Sequence, residues 1–559
     1  MNEKTDPRTL VRLDALQPTL NDTLARAADR GLMRRIWAHD HTVWQPDPTE
    51  ISNRLGWLDI ASRLADKLEP IQALVAGVRA DGYTHAVLLG MGGSSLAPEV
   101  FRLTFGVAPG HLDLAVLDST DADVVRALAD RLDPARTLFI VSTKSGTTVE
   151  TLSFFKYFYN WTAVALGPEA AGAHFVAITD PGSKLARTAA QFGFRAVFEN
   201  DPNIGGRYSA LSYFGLVPAF LVGVDVPLLL QRARDMMSNN MRAGQDNLGL
   251  WLGTVMGEAA RQGRDKITLV TSAPIASFGD WVEQLIAEST GKNGTGILPV
   301  VGELVGGPAV YGQDRLFVHL QLAGDESHVA ALDALADAGY PVVRFTLADK
   351  YDLGAHYFLW EMATAVAGHH LGIHPFDQPN VESAKKLARK MVAAFQETGK
   401  LPEAETAPLS AAALSAFLAQ AHAGDYIALQ AYVPATPTTE AALQTLRRHL
   451  RNRTRLATTL GYGPRFLHST GQLHKGDRGN GLFIQFTSSP EADVPIPDAA
   501  GLPDAGMTFD VLKQAQALGD YEALRGATPP RRVIRFEVGG DVDAGIQQLR
   551  PIQKNTDAE

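Results

Sequence analysis

The chain has 559 residues, more than one hydrophobic core holds, so two or three domains are expected. Its net charge of −10 exerts no overall attraction on nucleic acid or anionic lipid, and any anion it binds must be held by a local site. It has no cysteine, which excludes disulfides, thiolate nucleophiles and thiolate-ligated metals.

The N-terminal stretch "MNEKTDPRTLVRLDALQ" lacks the basic-then-apolar layout of a signal peptide. No uncharged apolar stretch reaches the ~18 residues that a membrane span needs. The expectation is a soluble, cytoplasmic protein. Residues 8 to about 80 read as helices around a Pro-rich loop, with 1–69 as an N-terminal helical segment.

The pattern then changes. "THAVLLG" (84–90), "LDLAVLD" (112–118), "RTLFIVS" (136–142), "HFVAITD" (174–180) and "FRAVFEN" (194–200) are short apolar runs separated by helical periodicity. Strands apolar almost throughout, alternating with helices, predict a parallel sheet covered on both faces. A doubly wound α/β domain over 70–240 follows. "KITLVTS" (266–272), "RLFVHLQL" (315–322) and "PVVRFTL" (341–347) predict a second over 241–400. The polar stretch "ETGKLPEAETAPLS" (397–410) reads as a linker. The remainder, 411–559, reads as a C-terminal α+β extension with "YIALQAYV", "LFIQFTS" and "RVIRFEV" as strands.

Several motifs carry chemistry. In "LLGMGGSSLAPEV" (88–100) a strand runs through glycines into a helix, but Ser95 stands where a dinucleotide fingerprint needs its third glycine. The segment fits an anion at a helix N-terminus or a tight turn without ligand. "STKSGTTVET" (142–151) repeats the layout with four hydroxyls, Thr143, Ser145, Thr147 and Thr148, and with Lys144. A helix cap needs one hydroxyl, so the set favours a phosphate; there is no nucleoside triphosphate loop pattern. In "NIGGRYS" (203–209), Arg207 fits an oxyanion stabiliser and a structural ion pair about equally.

In "DWVEQLIAESTGKNGTG" (280–296), Trp281, Leu285 and Glu288 fall on one helix face. Burial and the helix C-terminus would both favour a protonated Glu288, as a base near neutral pH requires; a helix-end glutamate reaching solvent fits as well. In "HPFDQPNVESAKKLARKM" (374–391), Gln378 lies in a turn, Asn380 is a candidate cap, and Lys385 fits a sugar oxygen or open solvent. "RFLHSTGQLHKGDRGNG" (465–481) has two histidines, His468 and His474, suited to proton transfer rather than to a metal.

"GMGGSS", "STKSGTTVET", "GGRYS", "AESTGK" and "FDQPNVESAKK" occur in the order found in glucose-6-phosphate isomerases. The resemblance covers about 70 to 400 and is strongest to the isomerase part of bacterial transaldolase–isomerase fusions. It implies two sugar isomerase domains and reversible interconversion of glucose 6-phosphate and fructose 6-phosphate in glycolysis and gluconeogenesis. Gly93 and Ser94 would bind the sugar, and Thr143, Lys144, Ser145 and Thr148 its phosphate. Arg207 would stabilise the enediolate, Glu288 would move the proton between C2 and C1, and Gln378 and Lys385 would complete the site, Lys385 in ring opening. The family's ring-opening histidine normally lies between the Glu and Lys motifs, where this chain has "GGPAVYGQDRLF". A similar stretch, "HSTGQLHKG", follows the Lys motif instead, so His468 is the expected substitute, from the same chain or from a partner. Proton transfer needs neither metal nor other cofactor. A homodimer is the family's assembly, and no nucleic-acid or membrane partner is expected. Dual phosphoglucose/phosphomannose isomerisation and a non-catalytic sugar-phosphate sensor are the alternatives.

Overall fold

The computed structural model describes residues 8–550. The first strand, β1 (Arg8–Arg12), lies where helices were expected. It pairs antiparallel with a distant strand, Val342–Leu347, and its own burial is slight. Tertiary pairing therefore makes it a strand; its local pattern does not. The rest of the N-terminal segment is helical.

The first sheet contains β2 (His85–Gly90), β3 (Asp113–Leu117), β4 (Thr137–Ser142), β5 (Phe175–Thr179) and β6 (Ala196–Glu199). All pairs are parallel, in the order β3-β2-β4-β5-β6. The second contains β7 (Lys266–Thr271), β8 (Leu298–Val300), β9 (Arg315–Leu322) and β10 (Val342–Leu347), in the order β1-β10-β9-β7-β8. β8 was not anticipated, being three residues centred on Pro299.

The C-terminal region contains β11 (Tyr426–Tyr432), β12 (Ala457–Tyr462), β13 (Gly481–Thr487), the short ribbon β14 (Pro495–Ile496) and β15 (Met507–Thr508), and β16 (Arg532–Glu537). Its main sheet is parallel throughout, in the order β12-β11-β13-β16. The extension is thus itself an α/β layer structure, antiparallel only in the β14–β15 ribbon. β12, "ATTLGY", escaped sequence reading because Thr and Gly dilute its apolar signal.

Each main sheet places the first of its parallel strands between the second and third, leaving a crevice outside the carboxyl ends where the winding reverses; the antiparallel β1 only extends one edge. In the first sheet this switch point lies between β2 and β4. Two buried clusters tie the C-terminal region to the rest. One joins Phe154 and Phe158 to Phe509 and Leu512; the other joins Ala287, Leu298 and Val300 to Tyr426, Leu473 and Phe483. Among the described residues no helix is long and apolar enough to cross a membrane.

Candidate active site

At the first sheet's switch point two segments meet. β2 runs into the turn Gly92–Ser94, and β4 runs through residues 142–148 into helix α1 (Val149–Leu166). Ser142 Oγ donates to Ser94 O at 3.1 Å, joining them. Thr148 occupies the N-cap of α1 but makes no capping bond; its hydroxyl lies 3.0 Å from that of Thr143. Ser145 and Thr147 pair their hydroxyls at 2.7 Å on the exposed side. None of these four hydroxyls is committed to a distant part of the fold, and the helix N–H groups stand behind them.

Lys144, in the same loop, is engaged within the chain. Its Nζ donates to Asp180 at 2.5 Å and to Pro202 O at 2.8 Å. The charge is already balanced by a carboxylate, so the lysine buttresses the loop.

The Gly92–Ser94 turn packs on the turn Gly206–Tyr208 so closely that a Cβ on Gly93 would stand 2.1 Å from Gly206 O. Only glycine fits there. That second turn delivers Arg207, a buried guanidinium whose contacts point several ways. Nε donates to Ser289 Oγ at 2.8 Å, Nη1 to Gln378 Oε1 at 3.0 Å, and Nη2 to the carbonyls of Pro375 and Asp377 at 2.9 and 3.0 Å. Nη1 also stands 3.6 Å from Glu288 Oε1. Arg207 is therefore a structural anchor that also stands beside the Glu288 carboxylate.

Glu288 lies on helix α2 (Phe278–Thr290), whose Trp281 and Leu285 are buried on the same face. Its own residue exposure is 9%. Gln284, one turn earlier, donates through Nε2 to Glu288 Oε2 at 3.2 Å and to His468 O at 2.7 Å. This amide bridges the Glu288 carboxylate to the C-terminal region of the same chain. His468 ends the turn Arg465–His468, which follows β12. Its Nε2 faces Glu150 Oε1 at 3.0 Å, leaving Nδ1 unpaired among the described residues. Burial pushes the Glu150 carboxyl upward, but the His468 charge and hydrogen bond, with Lys385 adding charge, hold it below the usual glutamate range.

The C-terminal region reaches this point by interlocking with the end of α2. A Cβ on Gly291 would stand 2.3 Å from Leu473 Cα, so backbone meets backbone. Gln472 Nε2 donates to Gly291 O at 2.8 Å and to Asn380 Oδ1 at 2.7 Å, and Asn380 N donates to Gln472 Oε1 at 2.8 Å. Asn380 thus spends its side chain on this tie and does not cap the following helix, α3 (Val381–Thr398). His474 lies buried away from any such role, its ring held neutral by burial and by neighbouring Lys475 and Arg531. Lys385, on α3, is 42% exposed and 3.5 Å from Glu382. No hydrogen bond or ion pair joins it to Glu288, Arg207 or His468 among the described residues; its charge reaches Glu150.

Sequence reasoning missed Glu150, Gln284 and Lys292. Glu150 stood within the motif "TTVET", and its signal was a charged residue in the first turn of a helix with a buried face. Lys292 Nζ donates to His374 O at 2.8 Å and to Asp377 Oδ1 at 2.7 Å, and burial draws its ammonium down to about 8. Two turns before Glu288, Asp280 and Glu283 line a cavity of about 290 Å³ with Glu440, Arg447 and Arg465. Among the described residues no group of three His, Asp or Glu side chains is arranged to hold a metal ion.

Residues 59–315 match the family model described as phosphoglucose isomerase. The glucose-6-phosphate isomerases of Rubrobacter xylanophilus and of a Thermus thermophilus strain are each 29% identical, covering 58% and 62% of this chain and 86% and 91% of theirs. Residues 59–315 thus form a region similar to the phosphoglucose isomerase family. A hypothetical protein of Thermus thermophilus superposes with a TM-score of 0.60 at 25% identity, over 69% of this chain and 100% of that one. The fold is shared with a glucose-6-phosphate isomerase of Chlamydia trachomatis, at a TM-score of 0.50 and 21% identity over 65% of this chain and 78% of that one.

Proposed function

We infer that the chain interconverts glucose 6-phosphate and fructose 6-phosphate by moving one proton between C2 and C1 through a cis-enediolate. The observation that carries this reading is the Gln284 bridge. It sets a buried carboxylate, balanced by a guanidinium, against a histidine backbone within one chain.

The geometry supports the following roles. The hydroxyls and N–H groups of Thr143–Thr148 hold the 6-phosphate at the N-terminus of α1, and Gly93 and Ser94 let the sugar approach the backbone. His468, fixed by Glu150 and assisted by the Lys385 charge, protonates the ring oxygen while the anomeric hydroxyl releases its proton to water, and the ring opens. Glu288 takes the proton from C2. Negative charge then develops on the enediolate oxygens, where Arg207 and Gln378 stand ready without reorganisation. Glu288 returns its proton to C1 as the O2 hydroxyl proton passes to O1, leaving the ketose carbonyl at C2. Every step is a proton transfer.

His468 acts in cis on this reading. Chain pairing, if a homodimer forms, is then not needed to complete the site, and specific activity should be unchanged on dilution below the dimer's dissociation constant. The sugar-phosphate sensor alternative loses ground because binding alone does not call for Glu288, Arg207 and His468 together. Formation of glucose 6-phosphate from fructose 6-phosphate, coupled to a dehydrogenase, tests the reaction; a pure folded protein that forms none refutes it. Mannose 6-phosphate run beside it decides dual specificity.

A further inference from the structure

Helix α4 (Phe509–Arg525), in the C-terminal region, reaches the histidine from behind. Gln516 Nε2 donates to Glu150 Oε1 at 2.7 Å, the same oxygen that stands 3.0 Å from His468 Nε2. Gln516 Oε1 accepts from Thr120 Oγ1 at 2.8 Å. With the carbonyl taken by a hydroxyl, the amide's N–H face must point at Glu150. All three side chains are buried. Docking of α4 does not depend on this amide. Lys513 Nζ donates to Asp121 Oδ2 at 2.9 Å one turn earlier, and Phe509 stacks on Phe154.

We propose that Gln516 is a positioning residue for ring opening: it holds Glu150 as the ionised acceptor that orients His468, so the C-terminal region supplies both the histidine and the amide behind its partner. This rests on the role of His468 given above. The charged and titratable groups facing Glu150 are His468 from the turn after β12, Lys385 from α3 and Tyr432 from the end of β11, while Asp118 faces His468. Each remains when Gln516 is replaced. The lost donor is then the one change acting on a carboxylate whose burial already favours protonation.

The test is Gln516→Met in the full chain. Turnover of fructose 6-phosphate is followed from about pH 4 to 9. Deuterium uptake at C2 is followed with an acyclic aldotetrose 4-phosphate, which has no free hydroxyl placed to close a five- or six-membered ring. Expected are a roughly tenfold fall in kcat on the hexose and an upward move of the acid limb by about one unit. Exchange into the tetrose should stay within about twofold, since it bypasses ring opening. Lys513→Met should lower the melting temperature and leave the acid limb in place. Gln516→Glu gives a second variant, which should move the limb up further because two carboxyls then share the site. An unmoved acid limb in folded Gln516 variants, or equal losses on hexose and tetrose, overturns the proposal. An unmodified chain inactive on the hexose overturns the reading of the reaction instead.

Discussion

Arg207→Lys separates charge from geometry at the centre of the site. The ammonium keeps the positive charge beside Glu288 but replaces a fork that now serves Ser289, Gln378, Pro375 and Asp377. One nitrogen cannot reach acceptors on three sides, so two or three of these buried groups lose their donor. At about 1–3 kcal/mol for each buried acceptor left unserved, the loss is about 2–9 kcal/mol, a large share of a typical domain's stability. The charge also moves. A displacement of about 1 Å at a reacting centre costs on the order of a hundredfold, or about 2.7 kcal/mol. Coupled assay of fructose 6-phosphate should therefore show kcat/KM falling about a hundredfold, with a lower melting temperature. Arg207→Met, which removes the charge as well, should lose at least another order of magnitude. A lysine variant within about threefold of the parent in kcat/KM would refute the argument that the fork's fixed geometry matters.

His468→Ala should lower hexose turnover by two orders of magnitude or more, while leaving C2 exchange into an acyclic aldotetrose phosphate nearly intact; full hexose turnover removes His468 from the reaction. Thr148→Val removes one of the loop hydroxyls and should raise KM for fructose 6-phosphate more than it lowers kcat. The reverse pattern would mean that the loop holds something other than the phosphate. Glu283 gives a pH prediction. Burial, and then the Asp280 charge, push its carboxyl from 4.5 up to about 8. Between those values the folded chain keeps a proton that the unfolded chain releases, so this group's contribution falls as pH rises through the window. Glu283→Gln lacks that loss, and its melting temperature relative to the parent should climb from pH 4.5 to pH 8. A difference independent of pH would show that the carboxyl titrates normally.

The segments and most of their strands were legible in the sequence, because buried parallel strands are apolar nearly throughout and glycine-bearing loops mark their carboxyl ends. The hydroxyl-bearing loop at 142–148, Arg207, Glu288 and Gln378 could be singled out because their motifs are contiguous. The failures share one cause. β1 is a strand because β10 offers it an edge. Lys144 turned to Asp180, which lies 36 residues away and belongs to the loop after β5. Glu150 acquires its place from His468, 318 residues later.

The sequence by itself determined what this chain can do: a carboxylate on a buried helix face, a guanidinium in a tight turn, a bed of hydroxyls at a helix entrance, and a histidine displaced to the C-terminal region. That the backbone at His468 lies one amide from Glu288 within one chain was decided by the tertiary structure. The reason is steric and local. Gly291 admits the backbone at Leu473, Gln472 ties the two segments together, and Gln284 then spans from Glu288 to His468. Contacts between segments so far apart leave no periodicity to read, only residues small enough or polar enough to make them once the sheets have packed.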